Sequence, residues 1–114
     1  MIAWDFLRKK GYKLLEKNYR CKIGEIDVIA EKQGRLVFIE VKTRESARYG
    51  PPEEAVHRVK QEKILRIAEW YQKEKKVFER PVSFEVVAID WRPDNPPEIR
   101  LIANAFTADH PEGG

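Results

Sequence analysis

Apolar residues recur with two periods along this chain, and the switches between them mark out its elements. Over residues 2–10, Ile2, Ala3, Phe6 and Leu7 fall on one side of a helix, and Gly11 stops it. Residues 12–20 read as a strand in which Tyr12, Leu14 and Leu15 are mixed with Lys and Glu. After Gly24 the pattern alternates as a β-hairpin, one arm over 25–31 and the other over 36–43. Gln33-Gly34 sit at its tip, where Gly supplies the positive φ of a two-residue turn. Residues 44–52 form a loop whose prolines suit the entry to a helix. Helical spacing follows over 53–76, through Val56, Val59, Ile64, Ile67, Ala68 and Tyr71. Residues 82–91 are nearly continuously apolar (Phe84, Val86, Val87, Ala88, Ile89), as in a central strand covered on both faces. A turn over 92–97 and a short strand over 99–103 complete the order α-β-β-β-α-β-β. That order predicts an α/β fold, a mixed sheet flanked by helices. One domain is expected over 1–106, with a flexible tail over 107–114.

The hairpin register carries the chemistry. With a two-residue turn, Lys32 faces Arg35, Ile29 faces Phe38, Asp27 faces Glu40 and Glu25 faces Lys42. One face then bears Ile26, Val28, Ala30, Val37, Ile39 and Val41, all apolar, and should pack on the core. The other bears Glu25, Asp27, Glu40 and Lys42 at one end, with Ile29 and Phe38 toward the tip. Carboxylates at directly opposed positions, with Cβ atoms ~4.5–5.5 Å apart, repel by ~3 kcal/mol at an effective dielectric of about 20. A shared proton, a nearby cation such as Lys42 or a metal ion relieves this. Two carboxylates beside a lysine suit Mg²⁺ or Mn²⁺, hard cations that take oxygen ligands and keep waters. The plain alternative is a solvated hairpin face on which Lys42 pairs with Glu25 or Glu40.

Composition narrows the classes. Charged residues make up 36% of the chain and the net charge is +3, against a usual charged share of ~25%. Seven Lys or Arg lie in residues 1–22 against Asp5 and Glu16, a basic end that suits a phosphate backbone and equally a solvated face. The lone Cys21 rules out an intrachain disulfide, fits a reducing compartment and reads as structural. No apolar run reaches the ~18 residues of a membrane span, and the start lacks the pattern of a secretory signal. The cytoplasm is therefore expected. His57 and His110 are too isolated to argue for zinc, and no glycine-rich loop argues for a nucleotide.

Gly24-Glu-Ile-Asp-Val-Ile-Ala followed by Leu36-Val-Phe-Ile-Glu-Val-Lys-Thr-Arg resembles the Asp…Glu-x-Lys signature of the PD-(D/E)XK nuclease superfamily. The closer resemblance is to a bacterial family of uncharacterised predicted endonucleases (YraN-type), similar to archaeal Holliday junction resolvases. Gly11-Tyr12, Asn18-Tyr19-Arg20, Tyr49-Gly50-Pro51, Glu54-Ala55-Val56 and Lys60 fit its pattern too, so the likeness spans roughly residues 3–90. It implies a restriction-endonuclease-like fold and a metal-dependent endonuclease that cuts DNA, structure-selective for branched or single-stranded forms. It implies Asp27, Glu40 and the Val41 carbonyl as metal ligands, and Asp27, Glu40 and Lys42 as catalytic residues. Lys60 and Gln61 would add polar groups to the site, and Arg44, Arg48 and Tyr49 would line the substrate's approach. By analogy with related resolvases, a homodimer is expected. The family's early Gly-Glu pair would fall just before Met1, so the acidic site is expected to be incomplete here, with Glu25 as an auxiliary acid. Two other readings remain: a nucleic-acid-binding module with a decayed nuclease site, and a protein-interaction module anchored by Trp70 and Tyr71.

Overall fold

The computed structural model describes residues 2–44, 58–76, 80–93 and 95–107, and gives the backbone alone at 44, 58–61, 92 and 103–107. The expected helix entry over 53–57 and the tail over 108–114 lie outside the described residues.

Helix α1 (Ile2–Lys9) carries Asp5 in its first turn and Arg8 and Lys9 in its last, each of the sign its dipole favours. It ends in a Schellman motif. Gly11, at φ 93°, donates to the Arg8 carbonyl, and the Tyr12 N–H reaches back to Leu7. Strand β1 (Lys13–Arg20) then pairs antiparallel with β2 (Glu25–Lys32), and β2 with β3 (Arg35–Arg44). Gln33 at φ 53° and Gly34 at φ 79° make the type I′ turn whose twist suits a hairpin. The β2/β3 register is the expected one, from Lys32↔Arg35 to Val28↔Ile39.

Helix α2 (Arg58–Lys75) crosses over to β4 (Val82–Arg92), which lies parallel to β3, and β5 (Asn95–Thr107) closes the sheet antiparallel. The sheet order is β1-β2-β3-β4-β5, a mixed α/β fold with the expected element sequence. Strand β5 corrects one expectation. It runs over 95–107 rather than 99–103 and includes Pro96 and Pro97, which pattern alone reads as a turn. It is an edge strand, where a missing N–H need not break a ladder. Pairing of Asp90 with Glu98 and of Arg92 with Asn95 extends it.

The sheet is covered on both faces. Val28, Ala30, Val37 and Ile39 pack with Ala3 and Leu7 of α1, and with Tyr12, Val87 and Ile89. On the other side Ile29, Leu36, Phe38, Val82 and Phe84 pack against Ile64, Ile67, Ala68 and Tyr71 of α2. Phe38 stands edge-on to Tyr71 at 5.8 Å between centroids. Ile26 departs from strict alternation. It joins the α2-side cluster rather than that of Val28, because β2 parts from β3 at this point, as described below. Residues 82–90 of β4 are buried throughout, the polar Ser83, Glu85 and Asp90 included, in keeping with a strand covered on both faces. Among the described residues no helix is long and apolar enough to cross a membrane.

A buried hydrogen bond joins the α1–β1 connection to β4 in this core. The Tyr12 hydroxyl donates to Glu85 Oε1 at 2.5 Å. Burial raises the Glu85 carboxyl above its ordinary range, against the opposing pull of the Tyr12 hydrogen bond, Lys32 and Arg35. A carboxyl raised in the folded state binds its proton more tightly there than in the unfolded chain. Its contribution is therefore fully present below the unfolded value of about 4.3 and is lost as pH rises through the folded value. Glu85→Gln should flatten that part of the stability–pH curve, as urea melts at stepped pH would read.

Candidate active site

The active-site candidate forms where the central hairpin opens. Past Val28↔Ile39 the register would pair Asp27 with Glu40 and bond Val41 to Ile26. The ladder stops one pair short. The Val41 N–H donates instead to Asp27 Oδ2 at 2.7 Å. A side-chain carboxylate thus takes the place of a strand carbonyl, and Val41 keeps a partner for its N–H. The expectation of a directly opposed Asp27–Glu40 ladder pair is corrected accordingly. The two residues share one end of the hairpin and one cleft, but the strands have parted between them.

Glu40 is buried, and its Oε2 lies 3.9 Å from Lys42 Nζ. The lysine offsets part of the cost of holding this carboxylate away from water. Glu25 is more exposed and pairs with Arg20 across β1 and β2 at 3.4 Å. It lines the same cleft and shares its charge with Arg20.

The cleft has a volume of about 290 Å³ and is lined by Glu25, Asp27, Glu40, Lys63, Ile64 and Ile67. Lys63 is the residue that sequence reasoning missed. Lys60 and Gln61, one turn earlier on α2, were the expected polar groups, and their side chains are not described. Arg48 and Tyr49 lie outside the described residues, and Arg44 is placed on β3 by its backbone alone. Helical phase held the missing signal. Lys63 precedes Ile64 and lies four residues before Ile67, so it borders the buried face of α2. Gly24 makes room for it: an added Cβ there would stand 2.7 Å from Lys63 Cε and 3.4 Å from Ile67 Cδ1.

Among the described residues no group of three or more His, Cys, Asp or Glu side chains converges. The donor set is therefore two carboxylates and any backbone carbonyl beside them, all hard oxygens. Such a set fits a cation that keeps much of its shell as water, as Mg²⁺ does. The Cys21 thiol is free and packs, partly buried, against the α2-side core, as a structural residue would.

Comparison with known proteins bears on most of the chain. Residues 1–89 match uncharacterised protein family UPF0102. A UPF0102 protein of Caldicellulosiruptor saccharolyticus is 42% identical over 105 residues, covering 91% of this chain and 89% of its own. One of Caldanaerobacter subterraneus is 44% identical over 107 residues, covering 92% and 88%. One of Symbiobacterium thermophilum is 44% identical over 106 residues, covering 93% and 90%. The chain belongs to uncharacterised protein family UPF0102, the YraN-type group.

Proposed function

We propose that this protein is a metal-dependent endonuclease that hydrolyses phosphodiester bonds in DNA, acting on branched or single-stranded forms. One observation carries the reading: Asp27 and Glu40, from two strands that part at that point, line one cleft with Lys42 beside Glu40. An exposed hairpin stabilised only by salt bridges has no need to end its ladder there or to bury Glu40.

Asp27, Glu40 and the Val41 carbonyl would hold Mg²⁺ or Mn²⁺. When bound, such an ion lowers the pKa of a water and polarises a phosphoryl oxygen. The chain's own groups do the rest. The Val41 N–H holds the Asp27 carboxylate in one orientation, so little reorganisation is needed when substrate enters. Lys42 offsets the charge of Glu40 and offers a donor to a phosphate oxygen as negative charge builds there. Arg44, Arg48, Tyr49, Lys60 and Gln61 are proposed to contact the nucleic acid, and Glu25 to support the acidic pair. A cytoplasmic location and a homodimer complete the proposal.

A binding module with a decayed site fits less well, because without a cation the two carboxylates repel a phosphate backbone. Calorimetry with Mn²⁺ tests the reading directly. The unaltered chain should bind Mn²⁺ and Asp27→Asn should not. The proposal fails if neither binds, or if both bind alike.

A further inference from the structure

A second cleft, of about 470 Å³, lies beside the first and is lined by Lys22, Ile23, Glu62, Lys63 and Arg66. Lys63 borders both clefts, so they meet at that side chain. Three cations from two elements, the β1–β2 turn and α2, thus stand on one side of the carboxylate cleft against the single acid Glu62. Among the described residues, no hydrogen bond or ion pair engages Lys22, Lys63 or Arg66.

The pattern continues along α2. Lys63, Arg66 and Trp70 are spaced i, i+3, i+7 and so share one stripe of the helix. Ile64, Ile67, Ala68 and Tyr71 form its buried face. Trp70 is 38% exposed, while its neighbour Tyr71 is 4% exposed. A large aromatic left in water next to a row of cations is the pairing that binds single strands. The cations follow the phosphates, and the ring stacks on a base whatever its identity.

We infer that the trough of Lys22, Lys63 and Arg66, continued by Trp70, is the track by which a single strand of nucleic acid reaches the Asp27–Glu40 cleft. The inference rests on the nuclease reading and adds to it the path and form of the substrate. Lys63 stands at the junction, so it contacts the phosphate next to the one at the carboxylates. Gly24 keeps that junction open, because any side chain there would displace the Lys63 stem. A duplex buries its base faces within the stack and offers Trp70 nothing to lie against.

The test measures binding by fluorescence anisotropy of a short labelled single-stranded DNA, in EDTA so that nothing is cut. Trp70→Ala should weaken binding about tenfold. Trp70→Phe, which keeps a stacking ring, should bind nearly as the unaltered chain does. It should also lose most of the tryptophan quenching that DNA causes. Lys22→Ala with Arg66→Ala should weaken binding and lower the salt slope by about 0.7 for each phosphate left without its cation. Gly24→Ala should weaken binding in the unaltered chain and do little in Lys63→Ala. Arg8→Ala with Lys9→Ala removes two cations from α1, on the opposite face of the sheet, and should change little.

Equal losses of affinity from the α1 pair and from the Lys22/Arg66 pair would overturn the track, as would trough variants that bind normally. Cleavage of branched duplex by a chain that binds no single strand would overturn the track and leave the nuclease reading standing. A chain that neither binds nor cuts any nucleic acid would overturn both.

Discussion

Under the proposed nuclease activity, Asp27→Asn should lower DNA cleavage about a thousandfold or more while the protein still folds. The substitution is nearly isosteric, and the amide oxygen can still accept the Val41 N–H that the carboxylate accepts at 2.7 Å. The backbone at the parted strands therefore keeps its partner, and melting should move little. What disappears is the charge of one of the three carboxylates that line the cleft, and with it most of the affinity expected for a divalent cation. Transition-state stabilisation by such an ion amounts to several kcal/mol, and each ~1.4 kcal/mol is a factor of ten in rate. The measurement is single-turnover cleavage of a labelled DNA in Mg²⁺ or Mn²⁺, alongside a thermal melt. Retention of more than about a tenth of the rate by a folded Asp27→Asn protein would remove Asp27 from the reaction.

Phe38→Ala should destabilise the fold by about 3–5 kcal/mol. Phe38 is 1% exposed at the centre of the α2-side core, with Tyr71 and Phe84 each 5.8 Å away between ring centroids. Removing the ring leaves a cavity that two neighbouring rings and a helix cannot close without moving. Domains of this size have a net stability of about 5–15 kcal/mol, so the melting temperature should fall by roughly 15 °C. Phe38→Leu, which keeps most of the volume, is the control and should cost far less. A drop of only a few degrees in Phe38→Ala would mean that α2 is loosely held on the sheet. Phe38 also lies two residues before Glu40 on the same face of β3. The packing that anchors α2 is therefore continuous with the packing that sets Lys63 over the cleft.

Part of this was legible in the chain itself, residue by residue. Alternation through 25–31 and 36–43, together with Gln33-Gly34, determines a hairpin of one register. A slip by one residue would turn every apolar side chain to the wrong face. That register brings Asp27, Glu40 and Lys42 to one end of one face; in the structure the strands part there, Asp27 and Glu40 line one cleft, and Lys42 pairs with Glu40. The apolar run of β4 likewise determines a strand covered on both sides, and Gly11 determines where α1 stops. These are local properties, set by side-chain period and by the φ that a turn demands.

Other features depend on how distant segments meet. The ladder ends at Val28 because the Asp27 carboxylate competes with a backbone carbonyl for the Val41 N–H, a contest that strand alternation does not register. Ile26, released from β3, then packs on the other side from Val28. Strand β5 continues through Pro96 and Pro97 because it lies at the sheet edge, where pairing with β4 outweighs the turn signal of two prolines. Lys63 reaches the cleft only because the crossover docks α2 over Gly24 at one particular rotation and height. Helix period tells which residues share a stripe, but the strand or turn that a stripe meets is decided by packing across the sheet. The sequence alone thus determined that Asp27, Glu40 and Lys42 fall at one end of the hairpin, and the tertiary structure set Lys63 at their cleft and Lys22 and Arg66 along the next one.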